Sequence, residues 1–302
     1  MDIAVTGASG LIGSALTRSL RADGHRVRAV TRSAATGADT VHWDPAAGVL
    51  DPADLAGVDA VVHLAGAPIA DKRWTEERKR ELVASRVEGT GLVARTLATL
   101  DPAPSVFVCG SAIGVYGLRG DEVLTEASIP GDDFLADLVQ KWEAAAFPAV
   151  DAGIRTAFVR TGLVMAKEGG ILAIVLPLFK AFVGGKLGSG EQWMSWVTID
   201  DEVGAIRHLI DTDGLAGPFN VVAPQPVTNA EFTAALGRAV GRPAVLPVPS
   251  FGPKLLFGGE KATSTIFASQ RVSSDKLVAS GYEFRHPDID TGLRAVLGKG
   301  EA

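Results

Sequence analysis

The sequence predicts an α/β protein, a doubly wound parallel sheet of the Rossmann kind with a smaller C-terminal substrate or cap region. Three observations predict it. The chain opens with an apolar strand that runs into glycines spaced GxxGxxG and then into an amphipathic helical pattern. Strand and helix patterns alternate from there to about residue 165, the rhythm of a parallel sheet covered on both faces. Beyond that point come glycine-rich loops, further helices and a tail of short apolar runs broken by Gly and Ser. The division is placed at 1–165 and 166–302, with returns of sheet or helix near 196–225.

Ile3, Ala4 and Val5 form the opening strand, and Ile12, Leu16 and Leu20 mark the helix after it. Gly7 permits the tight turn, Gly10 lets backbone approach a pyrophosphate, and Gly13 lets the helix sit close to the sheet. The helix start at Leu11 and Ile12 offers N–H groups to phosphate. His25–Thr31 is the second strand. Where an NAD site places an acid, this chain has Arg32 beside Ser33, with no acid until Asp39. A guanidinium and a hydroxyl suit a 2′-phosphate, so NADP(H) is expected over NAD(H).

Thr40–Trp43 is a short third strand, and 44–57 reads as a loop rich in Pro, Gly and Asp. Val58–Leu64 is a fourth, nearly all apolar strand with His63 as a packing residue. It ends in Leu64, Ala65 and Gly66, small enough beyond Leu64 to leave room for a cofactor. A helix follows over 74–100, and Ser105–Cys109 is the fifth strand. In the segment GSAIGVYG, 110–117, Ser111 and Tyr116 are candidate contacts to substrate or nicotinamide. Residues 132–149 read as one helix containing Asp137, Lys141, Trp142 and Glu143, before a sixth strand at Ile154–Arg160. The apolar stretch 171–183 reads as a buried or lid helix, and Gln192, Trp193 and Trp196 as a substrate-side loop. Asp200, Asp201 and Glu202 open a helix running to Ile210, acidic residues suiting its positive end. A strand at Phe219–Val222, a helix at Asn229–Val240 and a helical cap in the tail complete the reading.

With 47% apolar and 21% charged residues in a chain of 302, the composition is globular. A net charge of −6 weighs against nucleic acid or an anionic membrane as partner, leaving a small molecule. The single cysteine, Cys109, sits in a strand pattern and reads as core. No basic and apolar leader and no uninterrupted 18-residue apolar span is present, so a soluble, cytoplasmic protein is expected. No metal ligand set is assigned.

The motifs TGASGLIG at 6–13, HLAG at 63–66, GAPIADKRW at 66–74, SR at 85–86 and GSAIGVYG at 110–117 form a series. It continues in RTGLV at 160–164, GSGEQWMSWVTIDD at 188–201, GPFNVVAPQPVTNAEF at 217–232 and the tail around Gly258, Gln270 and Arg271. Together they resemble the extended short-chain dehydrogenase/reductase superfamily, in its atypical epimerase-like family with a distinctive C-terminal domain. The resemblance implies an NADP(H)-dependent oxidoreductase or epimerase acting on a small carbonyl or sugar-nucleotide-like substrate. It also implies a dimer packed through the helices at 74–100 and 132–149, and Arg86 among the cofactor contacts.

The superfamily moves its proton with a tyrosine and a lysine four residues on. This chain has two tyrosines and no YxxxK, and Asp137 stands four residues before Lys141. Ser111 stands five residues before Tyr116, with Ala112 in the slot four before, and Thr198 replaces a histidine common in WVHIDD-like motifs. The catalytic candidates are Ser111 to orient the substrate oxygen, Lys141 at the nicotinamide ribose, and Asp137, Tyr116 or water as the proton source. The alternative is an NADP(H)-binding regulatory or sensor protein with little or no turnover.

Overall fold

The computed structural model describes residues 1–34, 37–244, 248 and 258–299. Its strands are β1 (Asp2–Thr6), β2 (Arg26–Thr31), β3 (Thr40–Asp44), β4 (Val49–Leu50), β5 (Ala60–His63) and β6 (Val106–Ala112). There follow β7 (Val123–Leu124), β8 (Arg155–Thr161), β9 (Leu163–Ala166), β10 (Trp193–Met194), β11 (Trp196–Thr198) and β12 (Gly217–Val221). One eight-stranded sheet runs β12-β8-β6-β5-β1-β2-β3-β4, parallel throughout except for β4, which turns back antiparallel on β3. The segment 44–57 is therefore a short hairpin strand and a 3-10 turn (Pro52–Leu55), where the sequence reads as loop.

The helices are α1 (Leu11–Ala22), α2 (Glu76–Leu97), α3 (Phe134–Ala144), α4 (Phe147–Asp151), α5 (Gly170–Lys180), α6 (Ile199–Asp211) and α7 (Asn229–Val240). On one face of the sheet Leu16 and Leu20 of α1 and Ile206 and Leu209 of α6 pack on Ile3, Val5, Val62 and Val108. On the other, Leu92, Val93 and Leu97 of α2 join Trp142 and Ala146 over Ala4, Val61, Phe107 and Cys109. The strand residues alternate between the two clusters, as a sheet buried on both faces requires. Cys109 is fully buried, and burial pushes its thiol up, so it is core. The expected helix over 132–149 is two. Pro148 cannot donate to the carbonyl of Ala144 and its ring crowds that carbonyl, so the chain restarts as α4.

Strand β12 and helix α6 return to the main sheet from the second half of the chain. The rest of that half builds its own core of Leu172, Leu176, Phe179, Trp196, Phe232 and Leu236, closed by Ile289 and Leu293 of a helix at Ile289–Val296. Helix α5 buries Leu172, Leu176 and Phe179 and exposes Ile174 and Leu178. Helix α7 begins at a capping box between Thr228 and Glu231 and ends at Gly241 in the left-handed conformation, the start and stop signals visible in its sequence. The tail adds helices Gly259–Ser264 and Asp275–Ala279 and a strand, Arg271–Val272, parallel to β7. The tail residues 249–257 lie outside the described residues. Among the described residues no helix is long and apolar enough to cross a membrane.

Candidate functional site

The carboxyl ends of β5, β1, β2 and β3 stand side by side, and a crevice runs along them. Gly7 leaves β1 with φ +68°, and a Cβ there would lie 2.8 Å from Leu64 C and 2.9 Å from Ala65 N. A Cβ on Gly13 would run into the Gly7 carbonyl oxygen, so α1 closes on the turn only because both positions are glycine. Gly10 is the N-cap of α1, and no side chain caps the helix. Thr6 locks the neighbouring strand end: its Oγ1 accepts from Leu64 N (3.1 Å) and Ala65 N (3.2 Å) and pairs with His63 Nδ1 at 2.8 Å. Burial first, and then the Arg86 charge, lowers His63 to about 3, so it stays neutral and packs as expected.

The crevice holds about 750 Å³. Gly7 and Gly10 line it, with Arg32 and Ser33 at one end beside Trp43, Asp44 and Pro45, and Leu64, Ala65 and Gly66 at the middle. Leu11 packs its side chain near Gly169 and Gly170, leaving its backbone at the helix start. Arg86, on α2, is 7% exposed and lies under Gly66, whose Cβ would come within 3.2 Å of the guanidinium carbon. It donates to Ala67 O (3.0 Å) and Leu82 O (3.3 Å) and stacks 5.0 Å from the Trp142 ring. Its Nε has no partner, and among the described residues no carboxylate pairs with it. Burial, then the Arg78 charge, lowers it to about 10, and it remains a cation beside the crevice.

A polar network crosses the ends of β6, β8 and β12, where Ser111, Arg160 and Asn220 occupy matching register positions. Ser111 Oγ donates to Glu143 Oε1 at 2.6 Å. Arg160 grips the same carboxylate with two forks, Nε to Oε1 and Nη2 to Oε2, each 2.9 Å. Its Nη1 donates to the Tyr116 hydroxyl (3.0 Å), which donates to Asn220 Oδ1 (2.6 Å). Burial pulls Arg160 down, but the Glu143 carboxylate outweighs it and holds the guanidinium above its ordinary value.

The catalytic candidates separate in this geometry. Ser111 stands at the strand-end row. Tyr116 is fully buried, burial raises its hydroxyl, and both hydrogen-bonding directions of that hydroxyl are used within the protein. Asp137 and Lys141 pair with each other at 2.7 Å on the outer face of α3, each side chain about half exposed (53% and 55%), away from Ser111. The residue that α3 turns toward Ser111 is Glu143, and neither it nor Arg160 was assigned from sequence. The signal for Glu143 was the phase of α3: with Leu138, Val139 and Trp142 inward, Glu143 falls beside them and Lys141 does not.

A second cleft of about 530 Å³ is lined by Gly120, Asp121, Gln192, Trp193 and Ser269, among others. Trp193 Nε1 donates to Asp121 (2.6 Å) and Arg271 lies 4.5 Å from the Trp193 ring. Trp196, expected in the same loop, is instead fully buried and donates to Gln225 O, because strand alternation turns it into the C-terminal core. Thr198 caps α6, its Oγ1 accepting from Asp201 N.

Residues 3–222 match the NAD dependent epimerase/dehydratase family, and residues 248–296 match a domain of unknown function, DUF1731. The chain belongs to the NAD dependent epimerase/dehydratase family. Within that family, the epimerase family protein Mb2239 of Mycobacterium bovis is 42% identical over 96% of this chain and 96% of its own. The crystal structure of the human epimerase family protein SDR39U1 with NADPH superposes with a TM-score of 0.90 at 34% identity, covering 99% of both chains. A nucleoside-diphosphate sugar epimerase from Corynebacterium glutamicum gives 0.81 at 35% identity, over 99% of this chain and 58% of that one.

Proposed function

We propose that the protein binds NADP(H) and acts as an oxidoreductase or epimerase on a small carbonyl or sugar-nucleotide-like substrate. The observation that carries this reading is the glycine cradle of Gly7, Gly10 and Gly13 at the end of β1, beside the end of β5, with Ser111 at the end of the next strand, β6. The residues fit a dinucleotide: a side chain would fill the cradle, none caps α1, and a buried guanidinium beside the crevice keeps an unpartnered Nε. Gly7, Gly10, Leu11, Ile12 and Gly13 would hold the pyrophosphate, with positive charge from Arg86. Leu64, Ala65 and Gly66 would flank the middle, and Arg32 with Ser33 would take the 2′-phosphate. The NADPH in the human relative's structure supports the same cofactor, and the C. glutamicum relative's name supports the substrate class. On this reading residues 1–165 hold the dinucleotide and 166–302 supply the substrate side. Bound NADP(H) supplies a hydride donor or acceptor.

The chain itself handles the proton. The Ser111 hydroxyl points its hydrogen at Glu143, so its oxygen keeps its acceptor lone pairs for a substrate hydroxyl. A substrate hydroxyl gives its proton to Ser111 Oγ while the serine's own proton passes to Glu143. The substrate O–H and the original serine O–H bonds break, new serine and carboxyl O–H bonds form, and the electron pair stays on the substrate oxygen. Carbonyl reduction runs the same transfer in reverse. Arg160 is a positioning residue that fixes the carboxylate, and Tyr116 steadies Arg160.

The second reading, a regulatory protein with little turnover, is favoured by the burial of Ser111, 4% exposed. Cofactor-loaded protein assayed against aldehydes, ketones and nucleotide sugars, by nicotinamide absorbance and product analysis, separates the two. The enzyme reading expects turnover that falls about 100-fold or more in Ser111→Ala, the scale of lost acid–base catalysis. NADPH binding with no turnover across the panel favours the regulator.

A further inference from the structure

Between β5 and α2 the segment 64–75 has no regular secondary structure, yet its first half walls the crevice through Leu64, Ala65, Gly66, Ala67 and Pro68. A backbone of this kind holds its shape only if its carbonyls find donors. Side chains supply them one after another. Arg86 takes Ala67 O (3.0 Å), Arg78 takes Pro68 O, and Trp74 Nε1 takes Ile69 O (3.1 Å). These three lie on or just before α2. Two of the next three carbonyls go to the far end of the sequence: Lys261 Nζ donates to Ala70 O at 2.7 Å and to Lys72 O at 2.9 Å.

Lys261 lies in the short helix Gly259–Ser264, within the C-terminal region of unknown function, and is 4% exposed. An ammonium is seldom buried this deeply unless its hydrogens are bonded. Two further contacts make the same seam. Glu260 pairs with Lys79 of α2 at 2.7 Å, and Gly258, at φ +90°, lies against Arg73, where a Cβ would come within 3.1 Å of Arg73 Nε.

We propose that Lys261 is a positioning residue for the cofactor crevice: it straps segment 70–72 and so holds the crevice wall at 64–68 in its binding shape. The C-terminal domain thereby takes part in dinucleotide binding, although the dinucleotide-binding motif lies at the other end of the chain. The proposal rests on the NADP(H) reading above. Without the strap, residues 70–72 fluctuate, and ordering them on binding is charged against affinity.

The test uses the full chain with NADPH as probe, comparing wild type, Lys261→Met and Lys261→Arg. Kd comes from nicotinamide fluorescence, and hydrogen exchange is followed over 64–75 and over β1 and β6. Lys261→Met is expected to weaken NADPH binding about tenfold and speed exchange over 64–75, leaving β1 and β6 protected. Lys261→Arg, which keeps a cationic donor, is expected to recover most of the affinity, which loss of packing alone would not predict. If Lys261→Met fails to fold, Lys79→Met, which removes the surface ion pair at the same seam, is expected to raise Kd about threefold with faster loop exchange. An NADPH Kd within twofold of wild type in the folded variant tested overturns the strap. Failure of wild type to bind any dinucleotide overturns the cofactor reading itself, and the strap falls with it.

Discussion

Glu143 has two oxygens and three donors around them, one serine hydroxyl and two nitrogens of a buried arginine. That arrangement fixes the carboxylate more firmly than a lone serine contact would, because a bidentate guanidinium constrains both oxygens in one plane. Glu143→Gln keeps the shape and one acceptor oxygen, but leaves the Arg160 guanidinium without its counter-charge, a loss of about 3 kcal/mol of stability. Its kcat is expected to fall about 100-fold while NADPH Kd moves less than threefold. Unchanged kcat would remove Glu143 from the proton route. In the crevice, Arg32→Ala is expected to weaken NADPH about tenfold, the value of one charge-assisted contact, and NADH less than twofold. Equal losses for both would sink the 2′-phosphate role.

At the level of elements, α3 shows what was legible in the sequence and what was not. Its inner face carries Leu138, Val139, Trp142 and Glu143, while Asp137 and Lys141 form an exposed i,i+4 pair. Such pairs contribute a few tenths of a kcal/mol, so Asp137→Asn and Lys141→Met should each stay within about 0.5 kcal/mol of wild type in denaturant melts. Turnover should be unchanged in both, and a large drop in kcat would return the proton chemistry to that face. The β1–α1 turn was legible because three glycines within seven residues do one local job. The positions of the central strands were legible because runs such as Val58–Leu64 and Ser105–Cys109 are nearly all apolar. Hairpin strand β4 was not, since two residues carry no alternation to read. Nor was the Glu143–Arg160 pair, whose partners sit on different elements and meet only when α3 lies across the end of β8. Tyr116 has the chemistry of a proton donor, but its burial against Asn220 is fixed by a strand a hundred residues away. The burial of Trp196 was not legible either, since the three residues of β11 are too few for their alternation to be read.

For the whole molecule, two acids at the start of α6 do opposite things. Asp201 is buried but fully bonded, accepting from Arg285 N, His286 N and the Tyr282 hydroxyl, and so pins the tail to the sheet domain. Glu202 beside it has one bond, from Thr161 at 2.7 Å, and an Oε2 without a partner. Burial raises its carboxyl to about 8, outweighing the Thr161 hydrogen bond. An unfolded glutamate titrates near 4.3 (roughly), so between these values the folded chain holds the extra proton. Its stabilising contribution is full below about pH 4.3 and is lost as pH rises through 8, with a slope of up to about 1.4 kcal/mol per unit. Glu202→Gln should flatten this slope in melts at pH 5 and 8.5, and an unaltered slope would show that Glu202 does not carry it. The central claim joins all three scales: the glycine cradle, Arg32 and the strand-end crevice form one NADP(H) site. Its most direct test is calorimetric titration of the cofactor-stripped protein with NADPH and with NADH. The account predicts one site per chain, with NADPH bound at least tenfold more tightly than NADH. Equal affinities would contradict the choice of cofactor, and no binding of either would contradict the site.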